Sequence, residues 1–231
     1  SAIKNKCLLL TKSKHLYLIL ISKNVSFTGY GNNYKMVVDM ESVQASIVRP
    51  TEELTHELIY SEAIADAMLS IATRFGNRLP VNEIKLGHIY YEDSDEASRE
   101  WRLPEKRHYI DINWNQERRN QTKRIDVSIR CRDFLCGLML GRRSKKRLCI
   151  TLRYLEGNPY DHPLKGFVMP IALIIAESFA DAYGIRQVNI SRPDKQLIER
   201  YESFGYSLNA ADKARVKRNN LPRAKLLTKL I

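Results

Sequence analysis

The sequence predicts an α/β fold of the α+β type, in which a mixed, mostly antiparallel central sheet is flanked by helices. A long apolar pattern at helical spacing follows Pro50. Three strand-like runs with short linkers come later and favour antiparallel pairing: residues 125–131, 134–140 and 148–155. A helix, a strand and a second helix are then predicted over residues 167–204, which gives the sheet helices to pack against it.

Basic residues outnumber acidic residues, with 38 Lys and Arg against 26 Asp and Glu and a formal net charge of +12. This excess is compatible with an anionic partner, such as a nucleic acid, an acidic lipid or a phosphate-rich ligand. A basic solvated surface without any partner explains the charge equally well. The hydrophobic content of 44% is enough for a core in a chain of 231 residues, so a folded protein is expected.

The cysteines and histidines show no metal-binding spacing. The four cysteines, Cys7, Cys131, Cys136 and Cys149, form no CxxC pair, and the five histidines are scattered. We therefore expect no metal site, and free thiols favour a reducing, cytoplasmic setting. The unbroken apolar run at residues 16–21 is far shorter than the roughly 20 residues of a membrane span, so no membrane contact is expected.

The first part of the chain is interpreted as an N-terminal extension, residues 1–41, followed by a main domain over residues 42–208. Strands at residues 16–21 and 35–40 flank a turn rich in Gly and Asn, which predicts a hairpin. A further strand at residues 45–50 is stopped by Pro50. Thr51 then caps a helix that extends to about Phe75.

Two segments have weaker patterns. Residues 77–122 are interpreted as an insertion in the main domain, with an acidic patch and a candidate strand at residues 108–114. Residues 209–231 form a basic C-terminal tail with little continuous apolar surface. We therefore expect truncation after Leu208 to leave the fold intact.

The helix predicted at residues 167–183 follows Gly166 and ends at Gly184, with Pro170 in the first turn, where proline is tolerated. A buried strand is predicted at residues 186–191. Pro193 and Asp194 then open the last helix of the main domain.

Several of these residues resemble motifs of the GNAT superfamily of N-acetyltransferases. The order of strand, helix, three antiparallel strands, helix, strand and helix is that of the family. Residues 46–54 (SIVRPTEEL) look like its first strand and first helix, and residues 201–206 (YESFGY) look like its closing signature. Asp194 stands where Asn is usual, and Leu197 stands where Ala is usual. The resemblance covers about residues 45–208.

The resemblance implies that the chain binds acetyl-coenzyme A (acetyl-CoA). The phosphate-binding loop of the family falls on Pro163, Gly166 and Val168, at a helix N-terminus where free N–H groups and the helix dipole hold a pyrophosphate. Val168 adds bulk in this loop. The strand at residues 148–155 should splay from its neighbour and bind the pantetheine arm. The implied cofactor-binding residues are Leu152, Tyr154, Leu155, Lys165, Gly166, Phe167, Val168 and Asp194.

The resemblance also implies two catalytic residues. Glu156 follows the splayed strand and would take the proton of an acceptor amine, directly or through water. Tyr201 matches the tyrosine of the family that protonates the departing thiolate. Without the family, Glu156 is equally well a solvated loop residue, and Tyr201 is equally well a core aromatic beside Leu197 and Phe204.

Two functions remain open from the sequence. The first is an acyl-CoA dependent N-acyltransferase that transfers an acetyl group to an amine acceptor. The second is a catalytically weakened binding module on the same fold, which engages nucleic acid or a partner protein through basic residues. That basic surface would comprise the tail together with Arg142, Arg143, Lys145, Lys146 and Arg147.

Overall fold

The structure is a computed structural model that describes residues 7–13, 16–22, 25–28, 35–38, 43–47, 52–101, 112–119, 124–146 and 148–231, with side chains described from Leu54 onward. The chain forms two compact units, Ser1–Thr55 and His56–Ile231. Within the described residues, no helix has both the length and the apolar character needed to cross a membrane.

The first unit contains two small antiparallel sheets. Strands β1 (Cys7–Ser13), β2 (Leu16–Ser22) and β5 (Val43–Ile47) form one of them, in the order β1-β2-β5. Strands β3 (Val25–Thr28) and β4 (Lys35–Val38) form the other. The predicted pairing of residues 16–21 with residues 35–40 is therefore wrong, because β2 pairs with β1 and β5 while β4 pairs with β3.

Helix α1 (Glu52–Phe75) extends over the residues that the apolar periodicity predicts. Its buried side chains recur at helical spacing, at Tyr60, Ala63, Ala67 and Ile71, and they join the main core. A 3₁₀ turn, Val81–Glu83, leads into strand β6 (Ile84–Gly87), which is followed by helices α2 (Tyr91–Glu100) and α3 (Trp114–Arg119).

The main sheet has seven strands in the order β11-β12-β10-β9-β8-β7-β6. The strands that follow β6 are β7 (Arg124–Cys131), β8 (Phe134–Arg143), β9 (Ile150–Gly157), β10 (Gln187–Ser191), β11 (Ser207–Leu208) and β12 (Leu226–Leu230). Strands β7, β8 and β9 form the predicted antiparallel meander. Only β9 and β10 pair in parallel among the neighbours in this sheet, so the mostly antiparallel fold class is confirmed.

Helix α4 (Val168–Tyr183) makes the crossover between the parallel strands β9 and β10. It ends at Gly184, whose φ of 67° places it in the left-handed region where glycine is favoured. Helices α5 (Ile198–Glu202) and α6 (Ala210–Lys217) follow β10 and β11. One core cluster contains residues of α1 and α4, and a second cluster contains Ile89, Ala97, Trp101 and Trp114.

The start of the main sheet differs from the sequence-based interpretation. Residues 46–54 resemble the first strand and first helix of the family, and this segment begins within β5. Strand β5 pairs with β2 in the small sheet. One of the two edge strands of the main sheet is β6, which pairs with β7 and lies inside the supposed insertion at residues 77–122. Of the candidate strand at residues 108–114, residues 108–111 lie outside the described residues, and Trp114 begins a helix.

The basic tail is part of the main sheet. Strand β12 lies between β10 and β11 and is antiparallel to both. Leu227 is fully buried, and Ala224 is nearly so. The expectation of a dispensable tail is wrong, because a strand inside the sheet supplies both main-chain hydrogen bonds and core surface.

Candidate active site

The parallel strands β9 and β10 separate along their length. Their paired register extends only from Ile150 opposite Val188 to Leu152 opposite Ile190. Strand β9 then continues to Gly157, whereas β10 ends at Ser191. The backbone of β9 beyond Leu152 therefore forms an edge that faces an opening, as the family resemblance implies.

A β-bulge adjoins this opening. On β9, Tyr154 is opposite Leu140 and Leu152 is opposite Gly141, so Arg153 is an extra residue without a partner in the β8 register. Bulges bend a strand and redirect its side chains, and they are common next to active sites. The bulge therefore turns β9 at the position where it leaves β10.

A cavity of about 710 Å³ occupies the opening. Five residues predicted from the sequence line it: Leu152, Tyr154, Leu155, Asp194 and Tyr201. Helix α3 contributes Gln116 and Glu117 to the wall, and three arginines, Arg142, Arg153 and Arg192, also line it. The structure thus brings together the strand residues and the tyrosine, which are separated by almost fifty positions in the chain.

The other predicted cofactor-binding residues, Lys165, Gly166, Phe167 and Val168, lie at the start of α4. Gly166 has a φ of 82° and is exposed, and a Cβ atom at this position would meet nothing within 4 Å. The glycine thus provides both a left-handed backbone and an unobstructed surface. The N–H groups of Val168 and Met169 have no acceptor inside the helix, because they belong to its first turn.

Val168 does not obstruct this surface. Its side chain is buried against the sheet, where a Cβ atom added at Gly137 would lie only 2.5 Å from its Cγ1 atom. It also lies against Gly157, with its nearest side-chain atoms 3.7 Å from the position of an added Cβ. The bulk of Val168 therefore fills the space above two glycines of the sheet.

Three cationic side chains surround the start of α4. Arg200 donates a hydrogen bond from Nη2 to the carbonyl oxygen of Gly166, at 2.7 Å. The Lys165 ammonium donates to two carbonyl oxygens of the preceding loop, at 2.6 Å each. The Arg78 guanidinium lies 4.8 Å from the centre of the Phe167 ring. Because these charges add to the positive end of the helix dipole, an anionic group is favoured here.

Tyr201 lies on α5, and its side chain is only 5% exposed. The same residue belongs to the main core cluster and is one of the residues that line the cavity. Asp194 lines the cavity as well. Its carboxylate accepts a hydrogen bond from the N–H of Gln196, at 2.9 Å, and so caps the 3₁₀ turn Lys195–Leu197 before α5.

Glu156 is buried, in contrast to the solvated loop residue that the sequence allowed. It is 3% exposed and accepts a hydrogen bond from Nε1 of Trp114, at 2.9 Å. Trp114 is the first residue of α3, so the carboxylate of Glu156 holds the helix that forms one wall of the cavity.

A second buried carboxylate, Asp126, also contacts α3. It is 1% exposed and forms ion pairs with Arg118, at 3.3 Å, and Arg124, at 3.1 Å. Burial favours a raised pKa for Asp126, but the hydrogen bond with His88 and the two arginine charges outweigh it and lower the pKa to about 2. The same hydrogen bond raises the pKa of His88.

Three of the five basic residues predicted to form a surface around the turn between β8 and β9 are exposed in the structure. Arg142 is exposed, as are Lys145 and Lys146 in the turn between β8 and β9. Arg143 is 6% exposed, and its guanidinium lies 4.9 Å from the centre of the Tyr183 ring. Arg143 is therefore a packed residue, while Arg147 lies outside the described residues.

Sequence reasoning missed Arg78, Arg200 and Glu117. No local pattern marks these residues, because the fold brings them to the start of α4 or to the cavity from distant parts of the chain. The order of elements from β6 to α5 is strand, two helices, three antiparallel strands, helix, strand and helix, which differs from the order expected from the resemblance by one additional helix after the first strand.

No protein-family model matches the chain, and no curated protein matches it either. Solved structures with a similar fold include the ribosomal-protein-S18-alanine N-acetyltransferase of Escherichia coli, which is 11% identical with a TM-score of 0.46. That match covers 64% of this chain and 94% of the other. The aminoglycoside 6'-N-acetyltransferase of Enterococcus faecium is 16% identical with a TM-score of 0.42, over 63% and 96% of the two chains.

A third similar structure is the PaiA N-acetyltransferase of Thermoplasma acidophilum in complex with coenzyme A. It is 16% identical with a TM-score of 0.43, and the match covers 64% of this chain and 99% of the other. The likeness to these three N-acetyltransferases concerns the fold alone.

Proposed function

We propose that this chain is an acyl-CoA dependent N-acyltransferase of the GNAT type, which transfers an acetyl group to an amine acceptor. The observation that carries the proposal is the opening between β9 and β10, with its cavity of about 710 Å³. A cavity of this size accommodates a ligand the size of a cofactor arm. It also contains a buried tyrosine that can act on the reacting atoms.

The described residues fit acetyl-CoA. The edge of β9 beyond Leu152, at Tyr154 and Leu155, has backbone groups that can pair with the amide groups of the pantetheine arm in the manner of an added strand, and Leu152 lines the cavity where this edge begins. Asp194 lines the opposite side of the opening. When bound, acetyl-CoA supplies the activated acyl group as a thioester.

The start of α4 suits the pyrophosphate of acetyl-CoA. Gly166 leaves the surface open, and the N–H groups of Phe167, Val168 and Met169 are at or near the first turn of the helix. Phe167 N–H bonds to the carbonyl of Leu164, so the later two N–H groups are the better donors. Arg200, Lys165 and Arg78 supply positive charge around them.

Tyr201 is the proposed general acid. Its hydroxyl would donate a proton to the sulfur of coenzyme A as the thioester bond breaks. The position of Tyr201 supports this role, because the residue is fixed in the core and lines the cavity. A rigidly held donor needs little reorganisation during the reaction.

Glu156 is the base that the resemblance implies. Its carboxylate is buried and accepts a hydrogen bond from Trp114, so a proton from the amine would reach it through water. The acceptor is an amine whose further identity is left open in this proposal.

The binding module is the second candidate function. The observation that favours it is the turn between β8 and β9, in which Lys145 and Lys146 are exposed beside exposed Arg142. Such a cluster can contact the phosphates of a nucleic acid. Arg142 belongs both to this cluster and to the lining of the cavity. The binding of acetyl-CoA and the binding of nucleic acid should therefore be measured on the same protein preparation.

Isothermal titration calorimetry with acetyl-CoA tests the proposed function. We expect saturable binding by the wild-type protein. Arg200→Ala should weaken this binding about tenfold, which is the scale of one charged hydrogen bond. Arg218→Ala, which removes an exposed arginine just after α6, is the matched control and should bind as the wild type does. Absence of heat at millimolar acetyl-CoA would favour the binding module instead.

A further inference from the structure

Helix α3 is held in place by side chains on one of its faces. Trp114 and Arg118 are four positions apart, so they lie on the same side of the helix. Trp114 Nε1 donates to Glu156 at 2.9 Å, and Arg118 Nε contacts Asp126 at 3.3 Å. A helix of six residues is not stable by itself, so these two contacts and the burial of Trp114 determine where it lies.

Both partners of α3 are carboxylates in the protein interior. Glu156 is 3% exposed and Asp126 is 1% exposed. A buried carboxylate that loses its hydrogen-bond donor is strongly destabilised, so each contact is costly to break. Their effect on α3 is to fix both of its ends, at Trp114 and at Arg118.

The adjoining face of α3 forms a wall of the cavity through Gln116 and Glu117. Glu117 is half-buried and directly follows Gln116, and it lies next to the anchored residue Arg118. Glu117 and Asp194 are the carboxylate residues of the described chain that line this cavity. The carboxylate of Asp194 already accepts a hydrogen bond from the N–H of Gln196 and caps the turn before α5. Glu117 is therefore the carboxylate best placed to meet an acceptor amine.

We infer that Glu117 is the general base for the acyl transfer and that Glu156 and Asp126 are positioning residues, which hold α3 so that Glu117 faces the cavity. This inference rests on the proposed function. In this inference Glu117, and not Glu156, takes the proton from the amine. Glu117 lines the cavity, whereas the carboxylate of Glu156 is buried, is hydrogen-bonded to Trp114 and would need a water to reach the amine.

The proton transfers balance as follows. Glu117 takes one proton from the protonated amine, whose lone pair then forms the new C–N bond with the acyl carbon. The C–S bond breaks, and its electron pair leaves with sulfur, which takes the proton of the Tyr201 hydroxyl. The nitrogen of the new amide gives its surplus proton to Tyr201 through water, and Glu117 returns its proton to solvent. The products are the amide, the coenzyme A thiol and one released proton.

The first test compares Glu117→Gln with Glu199→Gln, a matched control on the exposed side of α5. Acetyl-CoA binding is measured by calorimetry, and thiol release is measured with a panel of primary alkylamines and short peptides. We expect Glu117→Gln to bind acetyl-CoA within about twofold of the wild type. Its kcat/KM for the best amine should fall about 100-fold, the lower end for a general base. Glu199→Gln should match the wild type.

A second readout separates chemistry from structure. Trifluoroethylamine is weakly basic and is mostly unprotonated at neutral pH, so it does not need a base before it attacks. The loss in Glu117→Gln should therefore be much smaller with trifluoroethylamine than with an ordinary alkylamine. In this variant the rate with the alkylamine should instead rise continuously with pH, because only the unprotonated fraction of the amine can attack. A purely structural defect would affect both acceptors equally.

The positioning residues are tested with Glu156→Gln and Trp114→Phe. We expect both variants to raise KM for the alkylamine while they keep the shape of the wild-type pH profile. If Glu156→Gln shows the continuous rise with pH and Glu117→Gln keeps the wild-type profile, Glu156 is the base and the inference fails. If the wild type binds acetyl-CoA and Glu117→Gln keeps full turnover, the inference fails alone. A wild type that neither binds acetyl-CoA nor releases thiol overturns the proposed function and this inference together.

Discussion

Val168 packs directly on Gly137, so that the first residue of α4 fills the place where β8 lacks a side chain. A Cβ atom at position 137 would lie 2.5 Å from Val168 Cγ1 and 3.3 Å from the carbonyl oxygen of Glu156. Valine is stiff at χ1, so it cannot easily move aside. The position of the proposed phosphate site is thus linked to the sheet at this contact.

Gly137→Ala should therefore destabilise the protein by about 1–3 kcal/mol, as expected for overpacking in a core. It should also weaken acetyl-CoA binding, because the first turn of α4 must shift. Gly87→Ala is the matched control, since a Cβ atom at Gly87 meets nothing within 4 Å. Denaturant unfolding and calorimetry measure the two effects. Equal stability of the two variants would contradict the tight contact.

Tyr201→Phe should lower acetyl-transfer turnover and leave acetyl-CoA affinity nearly unchanged, because the hydroxyl acts on charge that develops only as the thiolate leaves. A general acid contributes about 100-fold to 10,000-fold in rate. The ring remains packed, so the loss of stability should be about 1 kcal/mol. Steady-state kinetics and denaturant unfolding check both expectations. Unchanged turnover would remove Tyr201 from the mechanism.

Leu227→Ala should destabilise the protein by about 2–5 kcal/mol, because this side chain of β12 is fully buried. Leu230→Ala should cost less than about 0.5 kcal/mol, since Leu230 is 75% exposed on the same strand. Thermal or denaturant unfolding measures the difference. Similar small effects at both positions would support the dispensable tail that the sequence indicated.

Asp126→Asn should have an effect on stability that depends on pH. The pKa of Asp126 is lowered from 3.8 to about 2 in the folded protein, so its ionised form stabilises the fold above the unfolded pKa. This contribution, about 2 kcal/mol, is lost as the pH falls through the folded pKa. The stability gap between wild type and Asp126→Asn should therefore be largest near neutral pH and should narrow from about pH 4 to pH 2. A gap that stays constant over this range would argue against the lowered pKa.

The sequence predicted the elements with strong local patterns. The meander of β7, β8 and β9, the long helix α1 and helix α4 follow from periodicity and from Pro and Gly signals. Of the site, the splayed strand and the position of Tyr201 at the cavity were predicted through the family resemblance. The helices and the meander depend on residues that are close in sequence, whereas the site joins β9 to Tyr201, almost fifty positions away.

The elements that were missed lack such patterns. Helix α2 has an unusually polar sequence. Part of its buried face is formed by the charged residue Asp93, which forms an ion pair with Arg130 at 2.8 Å. An apolar stripe is therefore absent from this helix. Strand β12 belongs to a basic segment, and its place in the sheet depends on pairing with β10, far away in the sequence. The convergence of Arg78 and Arg200 on α4 is likewise a property of the fold alone.

The placement of β12 between β10 and β11 has a consequence for biosynthesis. As the ribosome produces the chain from its N-terminus, β10 and β11 emerge before the strand that joins them. Until then β10 has an open edge on the side away from β9, which can recruit a strand from another nascent chain. Slow translation between β10 and β12 should therefore increase aggregation, and prompt synthesis of β12 should protect the sheet.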